Sequence, residues 1–133
     1  MMIWMMAAAA AQADANAVIG RWRTEVRHGV VEISRCGGSI CGRLVDSDGL
    51  KADPDLRDAR NKDARQRGRK LMGVSMLQGF TWKNGVWDGG TIYNAEDGGT
   101  YKATVTPVSA TSLKLKGCIV WPLCKTQTWT KLP

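Results

Sequence analysis

A single histidine, His28, stands in the 133 residues, and that scarcity removes every mechanism built on a histidine base. His28 precedes Gly29 in a hairpin-like turn, which reads as polar surface and not as the desolvated cleft that acid–base catalysis needs. Glycine-rich phosphate loops ahead of a helix are missing too. Asp46-Ser47-Asp48-Gly49 opens like a calcium loop but lacks the remaining ligand ladder and its terminal glutamate. No apolar run reaches the roughly 20 residues that span a bilayer, and no internal repeat or Ser/Pro-rich linker divides the chain. These absences leave one domain with no catalytic residue, no cofactor and no metal site to expect.

The longest apolar run, Met1 to Ala11, ends in small-x-small sites at Ala11-Gln12-Ala13 and Ala13-Asp14-Ala15. That is the layout of a signal peptide over 1–15, although its basic start is missing. The domain then covers 16–133, periplasmic or secreted. Lys and Arg number 19 against 12 acids, a net charge of +7. In an exported, non-spanning protein that excess favours anionic envelope surfaces over nucleic acid. The four cysteines form two close pairs, Cys36/Cys41 and Cys118/Cys124. The first spacing would admit zinc, but an even count in an exported chain reads as disulfides. Three connectivities remain open, and proximity favours the two local ones.

The rest of the chain alternates. In GRWRTEVRHGVVEIS (20–34) charges occupy every second position, the period of a strand with one wet and one dry face. Eight such runs are predicted: 19–26, 29–35, 39–45, 74–82, 85–93, 99–106, 111–117 and 125–132. Tight-turn residues, Asn84-Gly85 and Asp97-Gly98 among them, separate them. The fold class predicted is all-β, an eight-stranded antiparallel up-and-down barrel. Parity puts Trp22, Thr24, Val26, Val31, Ile33, Ile40, Leu44, Met76, Phe80, Tyr101, Ala103, Val105, Leu113, Leu115 and Trp129 on the dry face. The run at 85–93 is ambiguous, because Gly89 and Gly90 interrupt it.

Residues 46–73 do not alternate. This long basic loop is expected to carry a helical turn near 54–66 and to meet anionic surfaces through Arg65, Arg67, Arg69 and Lys70. Asp53, Asp55, Asp58 and Asp63 lie among its bases, where salt pairing is their simplest use. Few aromatics are present, yet six of them are tryptophan, each with an N–H that needs a partner when buried.

Gly20-x-Trp22 resembles the opening motif of lipocalins and their calycin relatives, which implies that Trp22 closes the barrel floor with Lys131 packed across it. A more extensive resemblance is to the small exported bacterial proteins of domain of unknown function 2147. It runs through GRW (20–22), CGGSICGR (36–43), LRDARNKDARQRGRKLMG (56–73), LQGFTW (77–82), GGTIYNAEDGGTYKATV (89–105), LKLKGC (113–118) and LCKTQTWT (123–130). It implies a lipocalin-like barrel and brings no catalytic residue or ligand with it. The leading expectation is a monomeric binder of a small apolar or amphipathic ligand, held among Trp22, Ile33, Met76, Phe80, Tyr101 and Trp129. The alternative is a filled-barrel interaction module that docks on anionic envelope components or on a partner protein. Cavity volume separates the two.

Overall fold

The computed structural model describes residues 14–120 and 123–133; the export segment expected at 1–15 lies, but for Asp14 and Ala15, outside them. The strands are β1 (Gly20–Arg23), β2 (Val30–Cys36), β3 (Ser39–Asp46), β4 (Ser75–Gln78), β5 (Thr81–Lys83), β6 (Val86–Asn94), β7 (Gly99–Ser109), β8 (Ser112–Val120) and β9 (Leu123–Lys131). Each pairs antiparallel with its neighbour in the sheet, and β1 meets β9 through Trp22↔Lys131 and Arg23↔Thr130. β4 and β5 are the expected 74–82 strand, broken at Gly79-Phe80; β4 bridges β3 to β6, and β5 continues along β6. Counted as one stave, they complete a closed eight-stranded up-and-down barrel of lipocalin-like form. Closure satisfies the backbone groups that an open edge would expose.

Successive turns of such a meander alternate between the two ends. The floor carries the β2–β3, β5–β6 and β7–β8 hairpins. The mouth carries the β1–β2 turn, the β3–β4 connection, and the β6–β7 and β8–β9 hairpins. Asn84 and Gly85 both have φ near the left-handed region, 53° and 84°, as a type I′ turn requires. Disulfides Cys36–Cys41 and Cys118–Cys124 tie the β2–β3 and β8–β9 hairpins.

A turn of 3-10 helix, Ala15–Val18, closes the floor. Trp22 Nε1 donates to the Val18 carbonyl at 2.9 Å, and Trp87 Nε1 donates to that of Ala15 at 3.0 Å. Ala15 thus helps close the floor. Lys131 donates to the Ile19 carbonyl at 2.9 Å, with its Nζ 5.4 Å from the centre of the Trp22 ring. Gly20 makes room for it. A Cβ there would stand 2.8 Å from Lys131 Cε, and Gly20 has φ +134°, a conformation side-chain-bearing residues avoid. Gly20→Ala is expected to lower stability by about 2 kcal/mol, most of it backbone strain. A shift of the urea midpoint at constant slope checks this; a neutral substitution would show that the floor can rearrange.

Ten of the expected inward residues are buried in one cluster: Trp22, Val31, Ile33, Ile40, Phe80, Ala103, Val105, Leu113, Leu115 and Trp129. Val18, Leu77 and Trp87 join them. Four expectations need correction. β1 ends at Arg23, not at 26, because the turn begins at Thr24, whose N–H donates to the Gly29 carbonyl at 2.8 Å. Val26, on that turn, is 40% exposed, and Thr24 uses its hydroxyl to hold the turn at the Val26 carbonyl. Met76 falls where the β3–β4 register slips, Arg43 facing Ser75 but Gly42 facing Leu77; Leu77 is the fully buried residue and Met76 is half-buried. The α-helical turn lies at α1 (Asp48–Ala52), ahead of 54–66, because Ser47 caps it by accepting from the Leu50 N–H and Pro54 follows it closely, and within 54–66 there is only a short 3-10 turn at Ala64–Gln66.

Candidate functional site

The connection between β3 and β4 folds back as a strap over the mouth and the outer face of β4, β6 and β7. Its apolar side, Leu50 with Leu56 and Leu71, packs on Leu44, Val74 and Met76. His28 Nδ1 lies 3.0 Å from the Asp48 carboxylate, a contact that holds the Asp48 carboxyl below its ordinary range. The backbone of Arg57 and Lys70 forms a bridge that closes the strap on itself, and a single turn of 3-10 helix, Ala64–Gln66, lies inside the loop so formed.

A buried carboxylate latches the strap to the barrel. Asp58 is 1% exposed and accepts from Tyr93 Oη at 2.5 Å, Asn61 Nδ2 at 2.9 Å and Arg69 Nε at 2.9 Å. Tyr93 projects from the outer face of β6, opposite Thr100 in register. The Arg69 guanidinium also lies over its ring, 5.3 Å from the centre. Burial, and then the Asp58 carboxylate, push the Tyr93 hydroxyl well above its ordinary pKa. A second clasp sits on the β6–β7 turn, where the Lys62 N–H donates to the Gly98 carbonyl at 3.0 Å. Gly98 has φ +74°, and a Cβ on it would lie 1.7 Å from the Arg60 carbonyl oxygen. Only glycine lets the strap cross there.

Between strap and sheet lies a cavity of about 400 Å³, lined by strap residues 61–63, 66 and 69 and by Ser75, Met76, Gln78, Thr91, Tyr93, Thr100 and the 98–99 backbone. Gln78 pairs with Thr91 on the outer face of the sheet, opposite in sense to the inward-facing Leu77↔Ile92 pair. Among the described residues, Ser75, Gln78, Thr91 and Thr100 make no side-chain hydrogen bond to the protein and Lys62 makes no ion pair. Their polar atoms are free for a ligand.

The expected ligand set is thus divided. Trp22, Ile33, Phe80 and Trp129 sit in the packed interior, each at most 2% exposed. Tyr101 lies at the mouth end of β7, cross-strand from Ile92, and its hydroxyl donates to Asp97. Met76 alone reaches the cavity. A shallow groove on β6–β8 likewise lies outside the barrel. The loop bases expected to face anions have partners within the strap. Arg65 pairs with Asp63 at 3.2 Å, Arg67 donates to the Asn61 carbonyl at 2.8 Å, Arg69 holds Asp58, and Lys70 meets Asp55 at 3.2 Å. Asp58 and Tyr93 were the residues that sequence reasoning missed as a site. Their only signal was an acid set among bases and a tyrosine whose strand was ambiguous.

A family profile described as "uncharacterized protein conserved in bacteria", domain of unknown function 2147, matches residues 20–131. The chain belongs to that family. No curated protein matches it. Among solved structures it is similar to protein HP1028 from the human pathogen Helicobacter pylori, a protein described as belonging to the lipocalin family. The TM-score is 0.76 at 24% identity, covering 87% of this chain and 83% of the other. That likeness bears on the fold, and the two barrels correspond.

Proposed function

We propose that this DUF2147 protein is an exported, non-catalytic binding protein whose ligand lies in the cavity between strap and barrel, not inside the barrel. The ligand is a small oxygen-rich amphipath. Its polar head would meet Lys62, Ser75, Gln78, Thr91 and Thr100, and its apolar part would lie on Met76 and the Tyr93 ring edge. The observation that carries this reading is the contrast between a cavity of about 400 Å³ with unused polar atoms and an interior whose tryptophans are packed to near-zero exposure. That volume falls in the range of small-molecule sites. Two disulfides support an oxidising compartment, and among the described residues no helix is long and apolar enough to cross a membrane.

Octyl glucoside below its micellar concentration is the test ligand, with palmitate as the apolar comparison. Amide NMR shifts should move at Thr91, Tyr93 and Thr100 and saturate. Gln78→Leu with Thr91→Val, which leaves shape but removes the polar partners, should weaken binding at least about tenfold, since unpaired buried polar groups on the ligand are costly. Saturable quenching of tryptophan emission by palmitate, with the strap resonances unmoved, would return the site to the barrel interior and end this proposal.

A further inference from the structure

The mouth carries one more feature that the strap does not use. In sequence the segment between the bridged cysteines of the β8–β9 hairpin, Ile119-Val120-Trp121-Pro122-Leu123, carries no polar side chain. Ile119 is 73% exposed and Leu123 64%, more than any other large apolar residue described. Cys118 and Cys124 stand directly opposite each other in the register, so the bridge clamps the two strands at the root of the hairpin. Ile119 and Leu123, next to the bridge, are the exposed residues. Exposed apolar residues held this way are unfavourable in water, at about 25 cal/mol per Å².

Cations collar the same end. Lys102 is the cross-strand partner of Cys118 on β7, Lys116 follows on the outer face of β8, and Lys125 faces Gly117 from β9. Among the described residues none of these three is in an ion pair. The one carboxylate in the adjoining groove is Asp88, which accepts from the Thr104 hydroxyl at 3.0 Å and from the Gly89 N–H. On the strap Arg65, Arg67 and Arg69 are held by partners there, whereas these lysines carry none among the described residues.

We infer that the β8–β9 hairpin end docks the protein on an anionic phospholipid bilayer, with Ile119 and Leu123 entering the interface and the lysine collar meeting lipid phosphates. An apolar tip ringed by unpaired cations matches the depth profile of a membrane surface, apolar acyl boundary below and phosphate above. A protein partner would need an apolar socket with a separate acidic rim to satisfy both features. Docking does not require the strap cavity to be filled, although it would turn the mouth end toward the bilayer.

Co-sedimentation of the full chain, disulfides intact, with phosphatidylglycerol-containing vesicles and with pure phosphatidylcholine vesicles tests this. Binding to the anionic vesicles only, falling as salt rises, is expected. Lys102→Gln, Lys116→Gln and Lys125→Gln together should weaken it on the order of a hundredfold, from about 1 kcal/mol per cation. Ile119→Asp with Leu123→Asp should abolish it, while circular dichroism and octyl glucoside binding stay as in the parent. Arg65→Gln, on the strap, should change nothing. Equal binding to both vesicle types, no binding at all, or unaltered binding by the tip variant would overturn the inference. So would concentration-dependent self-association that the tip variant removes, because the tip would then belong to a second copy of the chain.

Discussion

Asp58→Ala will unlatch the strap and lower stability by about 3 kcal/mol, near the lower end of what breaking a buried charge pair costs. The lower end applies because Arg69, at 37% side-chain exposure, can rehydrate once freed. The Tyr93 hydroxyl and the Asn61 amide cannot do so as easily, since both are buried and lose their acceptor. Denaturant midpoints give the magnitude. Hydrogen exchange gives the location, with protection lost across 53–71 and at Gly98 but retained in β7, β8 and β9. Asp58→Asn separates charge from shape. Burial is the larger cause of the raised Tyr93 pKa and survives that change, whereas the carboxylate's share disappears. Spectrophotometric titration should therefore place the Tyr93 phenol lower than in the parent yet still above an ordinary tyrosine. A titration unchanged from the parent would mean that Asp58 does not govern Tyr93, and the latch would have to be redrawn.

Trp22→Ala carries the other large effect, about 4 kcal/mol, in the range of aromatic-to-alanine changes in a core. Its ring is fully buried, its indole N–H satisfies the Val18 carbonyl, and Lys131 packs over it. Removing it leaves that carbonyl unpaired and a void at the floor. A void lined by apolar side chains stays dry and accepts apolar guests, so added indole should restore part of the lost midpoint in the variant and do nothing to the parent. The comparison bears directly on whether the barrel is filled. A loss under about 1 kcal/mol, or indole binding to the parent, would mean that Trp22 borders an existing space.

What the chain's own residues determine here is the periodic part. Alternation in 30–36, 39–46, 99–109 and 112–120 sets strands and inward faces, because a period of two leaves one solution when one face must be dry. Local turn chemistry at Asn84-Gly85 and the closely spaced cysteines is likewise readable, since both act over a few residues. The resemblance to lipocalins implies the floor of Gly20, Trp22 and Lys131, and pairing the first strand with the last brings Trp22 and Lys131 together.

Tertiary structure decided what depends on phase and on distant partners. One register slip beside Gly42 buries Leu77 in place of Met76, and no pattern confined to 74–82 contains it, because the slip belongs to the pairing with β3. Trp87 was hidden by the glycines that follow it and is buried through the Ala15 carbonyl, 72 residues away. The strap shows this most fully. Its arginines read as a solvated cationic surface, yet Asp58 reaches a tyrosine 35 residues on, and Arg69 turns in to meet that one buried carboxylate. A carboxylate can be buried only where several donors converge on it. Which donors converge is a property of the closed barrel, and that convergence is what put the cavity on its outer face.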